Sequence, residues 1–196
     1  GKAPIIVQGR GINGDNITID GSISSQFISG ILIAGVCAKS RISLSVTGKQ
    51  VSKSYIESTL NVMSKFGARV KHSRDYRKYN IFNNRYVPTT FTVPGDFSTA
   101  SLLLSAGTLV GGEITVSNLD FSLPQGDSKI LEILKNIGAV ISIDKRNGTV
   151  KTEGTQELDG GEFDLSDTPD LLPVVAILSL KSRNPVRIYG VSHTRY

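Results

Sequence analysis

The sequence predicts an α/β (α+β) fold built from repeated β-α-β-α-β-β units. Three similar segments begin with small hydroxyl and acidic residues, at 20–26, 96–101 and 164–170. An apolar run follows each of them, and a short strand-like segment follows each run. The segments start about 70 residues apart, which exceeds the roughly 20–50 residues of a solenoid or propeller repeat. Each unit therefore has room for a small layer of strands and helices.

Local signals predict the elements of each unit. Ser, Thr and Asp accept hydrogen bonds from the free N–H groups of a first helical turn, so each cluster marks a helix start. The first two units also contain a second helix, and Gly67 and Gly138 stand where such a helix ends in a left-handed residue. The strands are predicted at 4–7, 16–19, 42–46, 113–116 and 186–189, and the second helices at 55–66 and 128–137.

The third unit lacks the second helix that the other two contain, because the sequence stops shortly after the strand at 186–189. The first unit likewise begins in the middle of strands. We therefore expect the chain to be a piece of a longer protein.

The composition, 39% hydrophobic and 20% charged, is ordinary for a packed globular protein. No apolar stretch reaches the ~18 residues that span a bilayer, so no membrane segment is predicted. The single cysteine, Cys37, lies in an apolar run and is expected to be buried. A lone cysteine cannot form an internal disulfide, which favours a cytoplasmic location.

The net charge is +5, and the densest basic region is 69–85, where lysines and arginines alternate with Tyr76 and Tyr79. Such a segment could follow a phosphate backbone and stack bases, which leaves a non-enzymatic nucleic-acid-binding module as one alternative. The same segment has the pattern of a hairpin that turns at Asn83 and Asn84. No nucleic-acid-binding signature accompanies it, so we do not expect a nucleic-acid partner.

Several kinds of site find no support in the sequence. His72 and His193 have no second His or Cys at ligand spacing, so no metal site is predicted. The chain has no nucleophile elbow, Walker loop or dinucleotide fingerprint. The helix start at Ser24, Ser25 and Gln26 remains, since its free N–H groups and hydroxyls suit a phosphate or carboxylate. Plain helix capping explains the same residues, and local chemistry leaves both interpretations open.

Six short segments follow one another along the chain: 24–29 (SSQFIS), 51–56 (VSKSYI), 95–101 (GDFSTAS), 125–127 (QGD), 137–139 (IGA) and 168–170 (TPD). In this order they resemble motifs of the 5-enolpyruvylshikimate-3-phosphate synthase family. The resemblance covers nearly the whole chain.

The resemblance implies the family's fold, in which two similar domains each contain three β-α-β-α-β-β units with helix N-termini facing a cleft. The crossover between the domains corresponds to residues 104–107. Residues 1–105 would be the latter part of the shikimate-phosphate-binding domain, and residues 106–196 the truncated beginning of the second domain. The family's N-terminal lysine motif and its phosphoenolpyruvate-binding arginines would lie outside this chain.

The resemblance also implies an activity in the shikimate pathway of aromatic amino acid biosynthesis. The enolpyruvyl group of phosphoenolpyruvate is transferred to the 5-hydroxyl of shikimate 3-phosphate, and phosphate is released. Neither a metal nor an organic cofactor is implied, and the full-length enzyme is expected to be monomeric. The fragment alone is expected to be inactive.

The positions that match the family's substrate-binding residues are Ser24, Ser25, Gln26, Ser52, Tyr55 and His193. The resemblance implies that the three serines bind the substrate phosphate, and that Gln26 and Tyr55 line the sugar-like ring. His193 falls near a ring-contacting Asn of some members. Asp170 would take the proton of the attacking hydroxyl.

Simpler interpretations stay open beside this one. Ser52 could merely begin the helix that contains Tyr55, Asp170 could only complement a helix dipole, and 125–127 could be a turn and a cap. Ser54 departs from the family, because many members have Pro there. A sister UDP-N-acetylglucosamine enolpyruvyl transferase, which shares the fold, is the alternative enzyme.

Overall fold

The structure, a computed structural model, describes residues 3–195 apart from the side chains of His193 and Arg195. The strands are β1 (Asn16–Asp20), β2 (Ile42–Thr47), β3 (Val70–His72), β4 (Lys78–Ile81), β5 (Glu113–Val116), β6 (Val140–Asp144), β7 (Thr149–Glu153), β8 (Gly161–Asp164) and β9 (Val186–Tyr189). The α-helices are α1 (Ser25–Gly35), α2 (Lys53–Lys65), α3 (Phe97–Val110), α4 (Ile130–Asn136) and α5 (Leu172–Ser179). Short 3-10 helices lie at Gly126–Lys129, Pro169–Leu171 and Ser192–Arg195. None of the described helices is long and apolar enough to cross a membrane.

The first unit has the element order that the sequence predicts. Its sheet has the strand order β1-β2-β4-β3, in which β1 and β2 are parallel and the other neighbours are antiparallel. Parallel strands need a crossover connection, and α1 supplies it. The β-α-β-α-β-β prediction is confirmed for this unit, and the α/β class for the whole described chain.

The later elements form two further sheets. Strands β5, β7 and β6 pair in antiparallel fashion, whereas β8 and β9 are parallel with α5 between them. Gly95, just before α3, pairs with Leu119 in a parallel bridge. The second unit thus repeats a helix, a strand, a second helix and two strands.

Two clusters of buried side chains stabilise these layers. The first draws on α1, α2 and the four-stranded sheet, and the second on the elements from α3 onwards. Helix α3 contributes Phe97, Ala100 and Leu104 to the second cluster. The predicted division between residues 105 and 106 falls inside this helix, and it stays a prediction.

The predicted helix ends are confirmed. Gly67 and Gly138 follow α2 and α4 with φ angles of 77° and 80°. A residue with a Cβ atom is strained in this left-handed region, which is why glycine stands at both positions.

Two predictions about the first unit are wrong. Residues 4–7 form no strand, and Ile5 and Val7 are each 83% exposed because no strand of the described chain pairs with them. Cys37 is exposed rather than buried. It lies beyond the end of α1, whose inward face is made by residues such as Ile28 and Leu32, so it falls outside the buried stripe.

The basic segment does form a hairpin, but not with the predicted turn. The chain reverses between β3 and β4, at residues 73–77, where the Asp75 carboxylate accepts a hydrogen bond from the Arg77 N–H at 3.2 Å. Asn83 and Asn84 follow β4 instead. Tyr79 is buried in the first core, and Tyr76 packs partly against it. These two rings therefore do not form an open platform for stacking bases.

Candidate active site

The site begins where the two parallel strands of the first unit end. Strand β1 leads into the start of α1, and β2 leads through a short loop into the start of α2. The carboxyl ends of parallel strands meet at one edge of a sheet, so this topology brings the N-termini of both helices together. Ser24 caps α1, since its Oγ accepts a hydrogen bond from the Gln26 N–H at 3.2 Å. Ser25 is buried beside it.

Ser52 occupies the corresponding position before α2, but its backbone conformation differs from that of Ser24. Its φ and ψ angles of 53° and 48° lie in the left-handed region, and its side chain forms no capping hydrogen bond. This region is uncommon for residues other than glycine, and such conformations cluster at functional sites. Ser52 nevertheless begins α2, since its carbonyl accepts a hydrogen bond from the Tyr55 N–H, and a role of its side chain in substrate binding stays a prediction.

The 3-10 helix Pro169–Leu171 brings the third part of the site, the exposed Asp170. A cavity of about 820 Å³ lies between these segments. Six of the seven predicted site residues line it: Ser24, Ser25, Gln26, Ser52, Tyr55 and Asp170. The seventh, His193, has its side chain outside the part that the structure describes. The substrate-binding and catalytic roles of these residues stay predictions.

The walls of the cavity divide into a polar end and an apolar end. Hydroxyl, amide and carboxylate groups gather at the helix starts, while Ile33, Val62, Met63 and Phe66 line the space between α1 and α2. No lysine or arginine is among the lining residues in the described part of the chain. Helix N-termini and hydroxyls are thus the groups available here for an anion.

Tyr55 connects the cavity to the interior. Its Oη lies 2.8 Å from Asp127 Oδ2 and 2.9 Å from Asp170 Oδ2. Burial raises the pKa of the Tyr55 hydroxyl, and the neighbouring carboxylates of Asp127 and Asp170 raise it further. Tyr55 therefore keeps its proton at neutral pH and is a hydrogen-bond donor.

Asp127 is a residue whose part in the site the sequence did not reveal. Its side chain is buried, its Oδ2 also accepts a hydrogen bond from the Ser98 hydroxyl, and its Oδ1 has no partner among the described residues. Burial raises the pKa of Asp127, and the charges of Asp170 and Asp96 raise it further, whereas the hydrogen bonds that it shares with Ser98 and Tyr55 oppose the shift. Gln125 does form a turn and a cap, since its carbonyl accepts from the Ser128 N–H and its side chain accepts from the first N–H of α3. The partnership of Asp127 with Tyr55 and Ser98 is an additional feature of the same motif.

Gln125 connects the segment that contains Asp127 to the start of helix α3. Its side-chain Oε1 accepts a hydrogen bond from the Phe97 N–H, and its Nε2 donates to the Gly95 carbonyl, both at 3.0 Å. These two bonds fix the loop before α3 against the loop before α4. They place Ser98 beside Asp127.

Asp96 caps α3 through hydrogen bonds from the N–H groups of Ser98 and Thr99, at 3.3 and 2.7 Å. Burial raises the pKa of Asp96, but the hydrogen bonds from Thr99 and Ser98 outweigh it and lower the pKa overall. Asp96 is thus a negative charge close to Asp127. Among the residues that the structure describes, no group of three or more His, Cys, Asp or Glu side chains could hold a metal ion.

The fold resembles those of solved enolpyruvyl transferases. The structure of EPSP synthase from Acinetobacter baumannii matches 96% of this chain and 43% of its own, with a TM-score of 0.69 and 21% sequence identity. The enolpyruvyl transferase NikO from Streptomyces tendae matches 89% of this chain and 44% of its own, with a TM-score of 0.66 and 15% identity. These likenesses define the fold as that of the enolpyruvyl transferases.

Sequence comparison gives the family. The family model of EPSP synthase (3-phosphoshikimate 1-carboxyvinyltransferase) matches residues 1–196. The 3-phosphoshikimate 1-carboxyvinyltransferases of Nitrosopumilus maritimus and Methanosarcina acetivorans are 43% and 40% identical to all of this chain. The chain therefore belongs to the EPSP synthase family. It spans about half the length of these relatives, 46% in both cases.

Proposed function

We propose that this chain forms the shikimate 3-phosphate-binding part of a 3-phosphoshikimate 1-carboxyvinyltransferase. The observation that carries the proposal is the convergence of two helix N-termini and the Asp170 carboxylate on one cavity. Three segments far apart in sequence supply these groups. Helix capping or a turn could explain each of these segments alone. Neither explains why all three line the same cavity.

The polar end of the cavity suits the phosphate of shikimate 3-phosphate. Ser24, Ser25 and Ser52 stand at the starts of α1 and α2, where free N–H groups and the positive dipole ends favour an anion. Hydroxyl donors on the same turns add charge-assisted hydrogen bonds. Gln26 and Tyr55 then face the ring of the substrate.

Asp170 is the proposed general base. It accepts the proton of the 5-hydroxyl as that oxygen adds to C2 of phosphoenolpyruvate, while C3 takes up a proton and the double bond is lost. The bond between C2 and the phosphate oxygen then breaks as C3 gives up a proton, so that the double bond reforms and inorganic phosphate leaves. A carboxylate within hydrogen-bond reach of the hydroxyl lowers the barrier to this step.

The departing phosphate and the carboxylate of phosphoenolpyruvate need positioned cations. The described lining of the cavity has no lysine or arginine. We therefore propose that the 196-residue chain turns over no substrate alone, and that the full-length protein supplies these cations. A cytoplasmic location and a monomeric full-length enzyme stay predictions from the sequence.

A thermal-shift experiment on the chain tests the ligand class. Shikimate 3-phosphate should raise the melting temperature, whereas UDP-N-acetylglucosamine and single-stranded DNA should not, because binding to the folded state alone stabilises it. A shift with the UDP-sugar alone favours the sister transferase. A shift with DNA alone, lost at higher salt, favours the basic binding module.

A further inference from the structure

The Tyr55 hydroxyl lies within hydrogen-bond distance of two carboxyl oxygens, Asp127 Oδ2 at 2.8 Å and Asp170 Oδ2 at 2.9 Å. A phenol has one proton to donate, and an ionised carboxylate can only accept. If both carboxyls were ionised, one of the two contacts would bring lone pairs together without a proton. The three groups therefore hold two protons, one on Tyr55 and one on a carboxyl.

The second proton belongs on Asp127. Its side chain is only 3% exposed, whereas Asp170 is exposed at the cavity. Burying an unpaired charge is costly, and no lysine, arginine or histidine pairs with Asp127 among the described side chains. The titratable groups that face it are Tyr55, Asp96 and Asp170, none of which supplies positive charge.

We propose that Asp127 is a positioning residue for Asp170: as a neutral carboxylic acid it donates to Tyr55 Oη, so that Tyr55 donates its own proton to Asp170 Oδ2. The Ser98 hydroxyl, which donates to the same Asp127 oxygen, holds the chain of groups in place. Burial acts in the same direction, since it raises the pKa of Asp127. This inference rests on the proposed role of Asp170 as the base.

For the proposed reaction, the consequence is that Tyr55 and Asp127 each hold one proton next to Asp170. Tyr55 is kept as a donor toward Asp170, which orients that carboxylate at the edge of the cavity. Asp127 does not touch the substrate. It acts only through the Tyr55 hydroxyl, so its removal should affect the chemical step more than substrate binding.

Infrared spectroscopy tests the protonation directly. In the full-length protein that contains this chain, at about pH 7, the native form should show the carbonyl band of a neutral carboxyl. Asp127→Asn should remove that band. Asp144→Asn, which replaces an exposed carboxylate on β6, should leave it. Absence of the band, or its survival in Asp127→Asn, overturns the inference.

Kinetics test the positioning. Asp127→Ala should lower kcat by on the order of 10²-fold, because misplacement of a catalytic group by about 1 Å has an effect of this size. The affinity for shikimate 3-phosphate should change far less. Asp127→Asn should restore much of kcat, since an amide N–H can replace the donor. Equal losses in kcat and affinity, or no rescue by Asn, contradict the inference.

The infrared comparison needs neither substrate nor the alanine variant, so it holds even where Asp127→Ala does not fold. It also separates the two proposals. A native full-length protein without turnover contradicts the proposed function, whereas a missing Asp127 band contradicts only the inference about Asp127.

Discussion

Gly126 lies so close to Ser54 that a Cβ atom at position 126 would stand 2.2 Å from the Ser54 hydroxyl oxygen. It would also lie 2.9 Å from the Ser54 Cβ and 3.4 Å from the Asp167 carbonyl. The first turn of α2, the segment before α4 and the segment before Asp170 meet at this point. Ser54 and Gly126 directly precede Tyr55 and Asp127, so this close approach lies beside the hydrogen bond between those two residues.

The close approach predicts that Gly126→Ala destabilises the protein. Overpacking of this kind costs about 1–3 kcal/mol in free energy of unfolding, because the neighbouring segments must move apart. Urea denaturation of the native and variant proteins measures the change. Ser54→Gly in the same background should recover part of the loss, since it removes the clashing hydroxyl and Cβ.

Gly30→Ala provides the matched control. Gly30 lies within α1, and a Cβ atom there would meet nothing within 4 Å. Alanine is a better helix former, so this variant should gain about 0.5–1 kcal/mol. If both alanine variants lose the same stability, the contact with Ser54 is not the cause.

The sequence predicts elements well where the signal is local. The strands at 42–46 and 113–116 and the left-handed Gly67 and Gly138 follow from periodicity, hydroxyl caps and glycine placement. The hairpin turn was misplaced because Asn83 and Asn84 are strong turn formers in isolation. The pairing of β4 with both β2 and β3 decides where the chain reverses, and that information is not local.

The candidate site likewise has features that local sequence predicts and features that depend on long-range contacts. Ser24, Ser52 and Asp170 stand in recognisable motifs, whereas their meeting at one cavity depends on the parallel pairing of β1 and β2. The partnership of Asp127 with Tyr55 joins residues 72 positions apart. No spacing rule predicts such a contact, because it arises from packing between the two cores.

The raised pKa of Asp127 predicts a pH-dependent stability. A carboxyl whose folded pKa lies above its ordinary value of 3.8 binds more protons in the folded state than in the unfolded state. The free energy of unfolding therefore falls as pH rises from about that value through the raised one. Asp127→Asn removes this term, so its stability relative to native should improve as pH rises from about 3.8 through the raised pKa.

Urea midpoints of both proteins across this range measure the difference. The Asp144→Asn variant is the control, because hydrogen bonds from Asn147 and Arg146 lower the pKa of Asp144 instead. A constant difference between native and Asp127→Asn at all pH values contradicts the assignment of a raised pKa.

Ser25→Ala should weaken binding of shikimate 3-phosphate. Loss of one charge-assisted hydrogen bond to the phosphate costs about 1.5–3 kcal/mol of binding free energy. Calorimetric titration measures it. Ser24→Ala should weaken binding and also destabilise α1 by about 0.5–2 kcal/mol, because Ser24 is the helix cap.

Ser64→Ala is the matched control for these serines. Its exposed hydroxyl donates to the Asn61 carbonyl within α2 and does not line the cavity. Affinity equal to native is expected for this variant. Should Ser25→Ala bind as tightly as Ser64→Ala, the phosphate does not lie at the start of α1.

The most direct measurement is the rate constant of Asp170→Asn in the full-length protein. Asn is nearly isosteric and still offers an oxygen to the Tyr55 hydroxyl, but it cannot accept the proton of the 5-hydroxyl. We expect kcat to fall by about 10²–10⁴-fold, the usual contribution of a general base, with little change in the affinity for shikimate 3-phosphate. A near-native kcat would show that Asp170 is only a helix-start or ring-contacting residue and that the base lies elsewhere.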